Sequence, residues 1–144
     1  MENVLAEHGG RGGEAVTLLA AATDRLFASI AKQRGMRLSV VIPCKNFQNF
    51  FATPDDLSEY LYLHTSATAR TVLDHPTFNL EAFESAARFI VDICDLLVVV
   101  GSGNKAACHA AMGNIVKYAS DREKLLVWLE PDAPVLSRRL SPIR

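Results

Sequence analysis

Short apolar runs separated by helical patterns constrain the fold of this chain more than any other feature. The clearest run is Leu96–Val100, which lies between Asp95 and Gly101 and contains no polar residue. Strands without polar alternation are typical of parallel sheets, because both faces of such sheets are covered. The predicted strands are Ala15–Ala20, Leu38–Ile42, Arg70–Leu73, Leu96–Val100 and Leu125–Leu129.

Helical patterns occupy the segments between these runs. Each begins with a residue type that satisfies the free N–H groups of a first helical turn. Thr53 followed by Pro54 is the clearest start, because proline is well suited to the first helical position. The predicted helices begin at Thr23 or Asp24, Thr53, Asn79 and the Gly101–Asn104 turn, and the first and last end at Gly35 and near Tyr118.

Strands separated by single helices need crossover connections, which make neighbouring strands parallel. We therefore expect an α/β fold, a Rossmann-like three-layer sandwich with a mostly parallel sheet of about five strands. A chain of 144 residues has the size of one domain. We expect residues 1–13 to form a flexible or helical N-terminal segment and residues 131–144 to form a C-terminal tail.

Composition excludes several classes of function. Fifteen Lys and Arg residues against sixteen Asp and Glu residues give a net charge of -1, so no global field attracts nucleic acid. The apolar runs are far shorter than the roughly 20 residues that a membrane span needs. Three widely spaced cysteines and four histidines show no disulfide or metal-site pattern. We expect a cytoplasmic protein with no metal, no cofactor, no nucleic-acid partner and no membrane partner.

The turn after Leu96–Val100 is the first candidate site, since ligands of parallel sheets bind at the carboxyl ends of strands. It resembles a dinucleotide-binding glycine motif, with Glu130 in the place of the ribose-binding acid. Only fourteen residues follow Glu130, too few for the further strands of a dinucleotide fold. Two interpretations remain, an anion pocket and a plain tight turn. The candidate ligand-binding residues here are Gly101, Ser102, Gly103, Asn104 and Lys105.

The turn after the second predicted strand is the other candidate. Lys45 can meet a phosphate and Phe47 can stack on a base, with Phe50 and Phe51 as a lid. In the alternative interpretation, these aromatic residues pack on the domain or on a second subunit. The candidate ligand-binding residues of this region are Asp24, Lys45, Asn46 and Phe47.

Several segments resemble, in order, the SLOG group of Rossmann-like domains, relatives of the LOG (lysine-decarboxylase-like) cytokinin-activating phosphoribohydrolases. These segments are Thr23–Ala28, Leu38–Cys44, Glu81–Glu84, Ile90–Val100 and Gly113–Ala119. The resemblance implies a nucleotide-derived ligand, and some members of the group cleave N-glycosidic bonds. The chain departs from the group at its Gly-Gly-Thr phosphate loop, which aligns with Ala110-Ala111-Met112. Cβ atoms there would keep the backbone away from a phosphate.

Three functions are compatible with these observations. The first is a non-catalytic module that binds or senses a nucleotide or a nucleotide-derived small molecule. The second is an N-glycosidase acting on nucleoside monophosphates, with Glu84 or Asp24 as the candidate catalytic carboxylate. The third is a homo-oligomeric interaction protein that pairs through the small-residue helix Ala106–Ala119. We expect a homodimer or a higher homo-oligomer.

Overall fold

A computed structural model describes Leu5 and residues 12–100, 110–129 and 139–142. The chain divides into two compact units, Met1–Ala86 (the first unit) and Ala87–Arg144 (the second unit). The strands are β1 (Glu14–Thr17), β2 (Arg37–Ile42), β3 (Ala69–Val72), β4 (Leu96–Val100), β5 (Leu125–Leu129) and β6 (Arg139–Pro142). The α-helices are α1 (Ala22–Gln33), α2 (Pro54–Ser66), α3 (Leu80–Ile93) and α4 (Ala110–Asp121), and Phe47–Phe50 is a short 3-10 helix.

The first unit contains a parallel three-stranded sheet with the strand order β1-β2-β3. The central strand β2 is the most buried, because Val40, Val41 and Ile42 are almost completely covered. An apolar central strand is what a parallel sheet with two covered faces requires. The alternation of single strands with helices therefore produced the α/β arrangement and the parallel pairing that the sequence predicted.

Gly35 ends α1, as predicted from the sequence. Its φ angle is +80°, a conformation that favours glycine because residues with a Cβ atom are strained there. The N–H of Gly35 donates to the carbonyl of Lys32, and the N–H of Met36 donates to that of Ala31. These bonds satisfy carbonyl groups that the helix end would otherwise leave free.

The start of α2 also agrees with the prediction. The Thr53 hydroxyl accepts a hydrogen bond of 3.1 Å from the backbone N–H of Asp56, and Pro54 is the first helical residue. Tyr60 and Leu63 on this helix are buried in the core of the first unit. Local capping chemistry thus fixes where the helix begins, and burial of its apolar side fixes how it packs.

The first predicted strand is shorter than expected. The apolar pattern predicted Ala15–Ala20, but β1 ends at Thr17. Leu18 and Leu19 remain buried, yet Leu19 has a φ angle of +64°, which no strand residue adopts. The chain therefore turns away from the sheet while it still carries apolar side chains, so the apolar run overstates the strand.

The second unit contains a sheet with the strand order β4-β5-β6, in which β4 and β5 are parallel and β5 and β6 are antiparallel. Strand β6 lies in the segment that the sequence predicted to be a tail. It pairs Leu140 with Val127 in the register of the antiparallel ladder. Pairing with a neighbouring strand, which no local pattern reveals, gives this segment its structure.

The core of the second unit is built from small and medium-sized side chains. Ala87 and Val91 on α3 pack with Ile115 and Ala119 on α4. Leu97, Tyr118 and Leu126 are half-buried or partly covered against this cluster. The two helices thus share one buried cluster, in which two of the four side chains are alanines.

The parallel α/β character is established, whereas a single sheet of about five strands is not. Each unit has a three-stranded sheet of its own, and the larger sheet stays a prediction. Within residues 12–100, 110–129 and 139–142, no helix combines the length and the apolar character that a membrane span requires.

Candidate functional site

Three segments of the first unit follow the carboxyl ends of its parallel strands. Because β1, β2 and β3 point in the same direction, these segments emerge at one edge of the sheet. The N–H of Leu73 donates to the Ile42 carbonyl at 2.8 Å, and the N–H of Lys45 donates to the His75 carbonyl at 3.4 Å. The segments after β2 and β3 are therefore held side by side at this edge.

An open cavity of about 270 Å³ lies between these two segments. Its polar lining comes from Lys45, Asn46, Asn49 and Thr77. Its less polar lining comes from Cys44, Phe50, Pro76 and Phe78. Two residues predicted as ligand contacts, Lys45 and Asn46, thus share one concave surface at the expected edge of the sheet.

The Lys45 ammonium group is accessible to a ligand. Its Nζ lies 3.8 Å from an oxygen of Asp74, and 73% of the Lys45 side chain and 96% of the Asp74 side chain are exposed. A pair this exposed is weakly held, since water solvates both charges. The ammonium group can therefore exchange this carboxylate for another anion.

Asn46 adopts a left-handed backbone conformation, with φ 59° and ψ 29°. Asparagine is one of the few residues with a side chain that tolerates this region. Its carbonyl accepts a hydrogen bond of 2.9 Å from the N–H of Asn49, which starts the 3-10 helix. The turn presents two exposed residues with amide side chains, Asn46 and Asn49, at the cavity.

Phe47 is part of the core and does not line the cavity. Only 1% of the residue is exposed. Its ring contacts those of Phe50, Phe51, Tyr60 and Phe78 at centroid distances of 5.1 to 5.6 Å. Phe47 therefore packs on the domain, the second of the two interpretations of these aromatic residues, because four other rings surround its ring. Phe50 instead supplies exposed aromatic surface, with 45% of the residue accessible.

Cys44 lines the cavity as a buried thiol. Burial raises the pKa of the Cys44 thiol, so the group is protonated at neutral pH. Burial also raises the pKa of nearby Tyr60 to about 12, with the Cys44 charge as a smaller cause. Neither group is poised for proton transfer or nucleophilic attack near neutral pH.

Asp24 lies after β1, in the first turn of α1, and its side chain caps the start of that helix. Its carboxylate accepts a hydrogen bond of 3.0 Å from the N–H of Ala21. Burial raises the pKa of Asp24, and the hydrogen bonds from Ala21 and Ala20 and the charge of Arg25 oppose that rise. The other candidate carboxylate, Glu84, lies on α3 and is half-buried. Neither side chain belongs to the cavity lining.

Arg25 is a residue of this edge that the sequence reasoning missed. Only 4% of its side chain is exposed, and its Nη1 donates to the carbonyls of Leu19 (3.2 Å) and Ala20 (3.0 Å). Its Nη2 and Nε bind Asp56 at 2.9 Å and Glu59 at 2.8 Å.

The guanidinium group of Arg25 thus ties the turn after β1 to α2. It also holds the left-handed Leu19, an unfavourable conformation that persists only where its surroundings enforce it. No local pattern of the sequence marks Arg25, because its partners Asp56 and Glu59 are 31 and 34 residues away in the chain.

The second predicted ligand turn, Gly101–Lys105, lies outside the described residues. The same is true of Glu130 and of most of the predicted N-terminal segment, residues 1–13. In the part of the chain that the structure describes, no three His, Cys, Asp or Glu side chains come together as metal ligands.

Comparison with known proteins does not assign the chain to a family. The sequence matches no protein-family model and no curated protein. The resemblance to SLOG domains therefore depends on the sequence segments quoted above.

Proposed function

We propose that the first unit binds a small anionic ligand of the nucleotide type and that it does so without catalysing a reaction. The observation that carries this proposal is the cavity of about 270 Å³ lined by Lys45 and Asn46. It lies where the carboxyl ends of parallel strands emerge, the edge at which α/β proteins bind their ligands. The resemblance to SLOG domains likewise implies a nucleotide-derived ligand.

The charge at the cavity supports an anionic ligand. Lys45 is the only charged residue in the described lining, and its ammonium group is exposed. A phosphate oxygen placed there gains a charge-assisted hydrogen bond. The amides of Asn46 and Asn49 add neutral donors and acceptors that suit a sugar or a base.

The size of the cavity favours one nucleotide over a dinucleotide. Sites for drug-sized ligands usually enclose about 300–1,000 Å³, and this cavity lies just below that range at about 270 Å³. We therefore favour a ligand no larger than a mononucleotide, with part of its surface in solvent.

The absence of acid–base groups from the described cavity lining favours binding over hydrolysis. Cleavage of an N-glycosidic bond needs a carboxylate or another general acid or base within reach of the bond. The described lining contains amides, a hydroxyl, an ammonium group and a thiol. The Asp74 carboxylate, 3.8 Å from the Lys45 Nζ, is 96% exposed and pairs with that ammonium group. Asp24 already accepts the hydrogen bond that begins α1.

A Rossmann-like sheet of about five parallel strands belongs to the same proposal. The two observed strand orders, β1-β2-β3 and β4-β5-β6, support it. The antiparallel β6 fits as an edge strand, which mixed sheets of this kind often carry.

Thermal denaturation in the presence of nucleoside mono- and diphosphates tests the proposed function. A ligand at a hundredfold excess over its Kd stabilises the protein by about 2.7 kcal/mol, which appears as a rise in Tm. Lys45→Met should abolish the rise. The matched control is Lys117→Met on α4, an exposed lysine of the second unit, which should retain it. The proposal is wrong if no nucleotide raises the Tm of the unmodified chain.

A further inference from the structure

Phe50 offers a rigid aromatic surface at the cavity. Its ring stacks on that of Phe47 with a centroid distance of 5.4 Å and an interplanar angle of 10°. Phe51 and Phe78 contact the Phe50 ring edgewise at 5.3 and 4.7 Å. Phe50 is therefore held on three sides, yet 45% of the residue stays exposed.

Among the large hydrophobic residues that the described structure leaves exposed, Phe50 is the one that lines the cavity. Burying its remaining surface against an apolar or planar ligand releases water and is favourable. Because Phe47 is itself enclosed in the core, the ring of Phe50 has little freedom to lose when a ligand binds. A surface fixed in advance costs less ordering entropy on binding than a mobile one.

The groups around Phe50 match the parts of a mononucleotide. Lys45 provides the positive charge and Asn49 an amide in the same cavity. Asn46, at the start of the 3-10 helix, provides a second amide. An asparagine amide can donate to and accept from the edge of a purine at the same time, as it does with adenine.

We propose that Phe50 is the platform on which the base of a bound mononucleotide stacks, with the phosphate at Lys45. This inference rests on the proposed function and adds that the site selects for a planar ring. The stacking role that the sequence suggested for Phe47 thus moves to Phe50, its neighbour in the aromatic stack. Asn46 and Asn49 then contact the edge of the base.

Two probes that share a phosphate and differ in the base test this inference. Adenosine 5′-monophosphate carries the base, and ribose 5-phosphate lacks it. Stacking of one base on an aromatic side chain contributes about 1–3 kcal/mol, so adenosine monophosphate should bind the unmodified chain about 5- to 150-fold more tightly than ribose 5-phosphate. Isothermal titration calorimetry gives both Kd values.

Two variants separate the contributions of base and phosphate. Phe50→Leu retains apolar volume but removes the aromatic face, so it should weaken adenosine monophosphate about tenfold and leave ribose 5-phosphate unchanged. An unchanged affinity for ribose 5-phosphate also shows that the variant is folded. Lys45→Met should weaken both probes by similar factors. Tyr62→Leu, a change at an exposed aromatic residue outside the cavity, should alter neither.

Each outcome decides between the two proposals. Equal affinities of the unmodified chain for both probes would refute stacking and leave the anion site intact. A preference for adenosine monophosphate that survives in Phe50→Leu would also refute the role of Phe50. If neither probe binds, the proposed function itself is wrong, and the stacking inference is wrong with it.

Discussion

The two units of this chain are stabilised in different ways. The core of the first unit contains aromatic rings, long aliphatic side chains and the buried guanidinium group of Arg25. The described core of the second unit is a cluster of Ala87, Val91, Ile115 and Ala119. A surface group lies beside it, in which Asp92 binds both Tyr118 and Arg122.

This difference matters for where a ligand site can form. Large side chains that interlock across several elements fix the turns that they touch, and in the first unit these turns lie at the carboxyl edge of the sheet. In the second unit, the described apolar cluster consists of small and medium-sized side chains. The Asp92–Arg122 ion pair beside it is about half exposed, and ion pairs at the surface contribute little. We therefore expect the largest effects of mutation in the aromatic and arginine clusters of the first unit.

Phe47→Ala should have the largest effect on stability. Removing a fully buried phenylalanine typically lowers the free energy of unfolding by about 3–5 kcal/mol. Phe47 is 1% exposed and contacts four rings. Urea denaturation followed by far-UV circular dichroism measures the loss. Phe50→Ala is the matched control with a smaller expected loss, because Phe50 is 45% exposed.

The same variant tests whether the two units unfold together. The chain has one tryptophan, Trp128 in β5, so tryptophan fluorescence follows a strand of the second unit. A Rossmann-like sheet that includes strands of both units predicts that Phe47→Ala shifts the fluorescence and circular dichroism transitions together. A fluorescence transition that stays in place would mean that the units unfold separately, and it would contradict the larger sheet.

Arg25→Met should have the next largest effect. The change retains much of the side-chain volume but leaves the Leu19 and Ala20 carbonyls without their donor. Asp56 and Glu59 are about half exposed and remain solvated, so we expect a loss of about 2 kcal/mol in the free energy of unfolding.

Arg37→Met on the exposed start of β2 is the matched control for Arg25→Met in urea denaturation. An equal effect of the two changes would show that the contacts of Arg25 contribute little. A loss confined to Arg25→Met would show that the turn after β1 depends on its guanidinium group.

The smallest expected effect concerns the pH dependence of stability. Burial lowers the pKa of His64, and the charge of Arg70 lowers it further. The folded chain therefore favours neutral His64. The contribution of His64 to the free energy of unfolding is fully present above the ordinary histidine pKa of about 6.5 and is lost as the pH falls below it. Urea denaturation at pH 7.5 and 5.5 should show a smaller pH dependence in His64→Gln. An unchanged dependence in that variant would contradict the prediction.

Much of the fold was predictable from local patterns. Gly35, Thr53 and Pro54 fix helix ends through interactions that span only a few residues, and both boundaries agree with the structure. The apolar runs predicted β2, β4 and β5, and their alternation with helices predicted the parallel pairing of β1 with β2 and of β4 with β5. Strand β6 was not predictable in this way, because Arg139–Pro142 contains no apolar run.

The candidate site was predictable in part. The rule that ligands bind at the carboxyl ends of parallel strands selected Lys45 and Asn46, and both line the cavity. The sequence analysis gave base stacking to Phe47 and a lid to Phe50, because the chain does not show that packing buries Phe47 and leaves Phe50 exposed. It also missed Arg25, whose partners are 31 and 34 residues away in the chain.

The sequence by itself determined the local features of this protein: the alternation of strands and helices, the helix ends, and the side chains at each strand exit. These depend on backbone preferences and on hydrogen bonds between near neighbours in the chain. Only the tertiary structure decided which aromatic ring faces solvent, which cation is buried and where β6 pairs. Burial and long-range pairing are set by groups that meet only once the chain has folded, so no single segment of sequence encodes them.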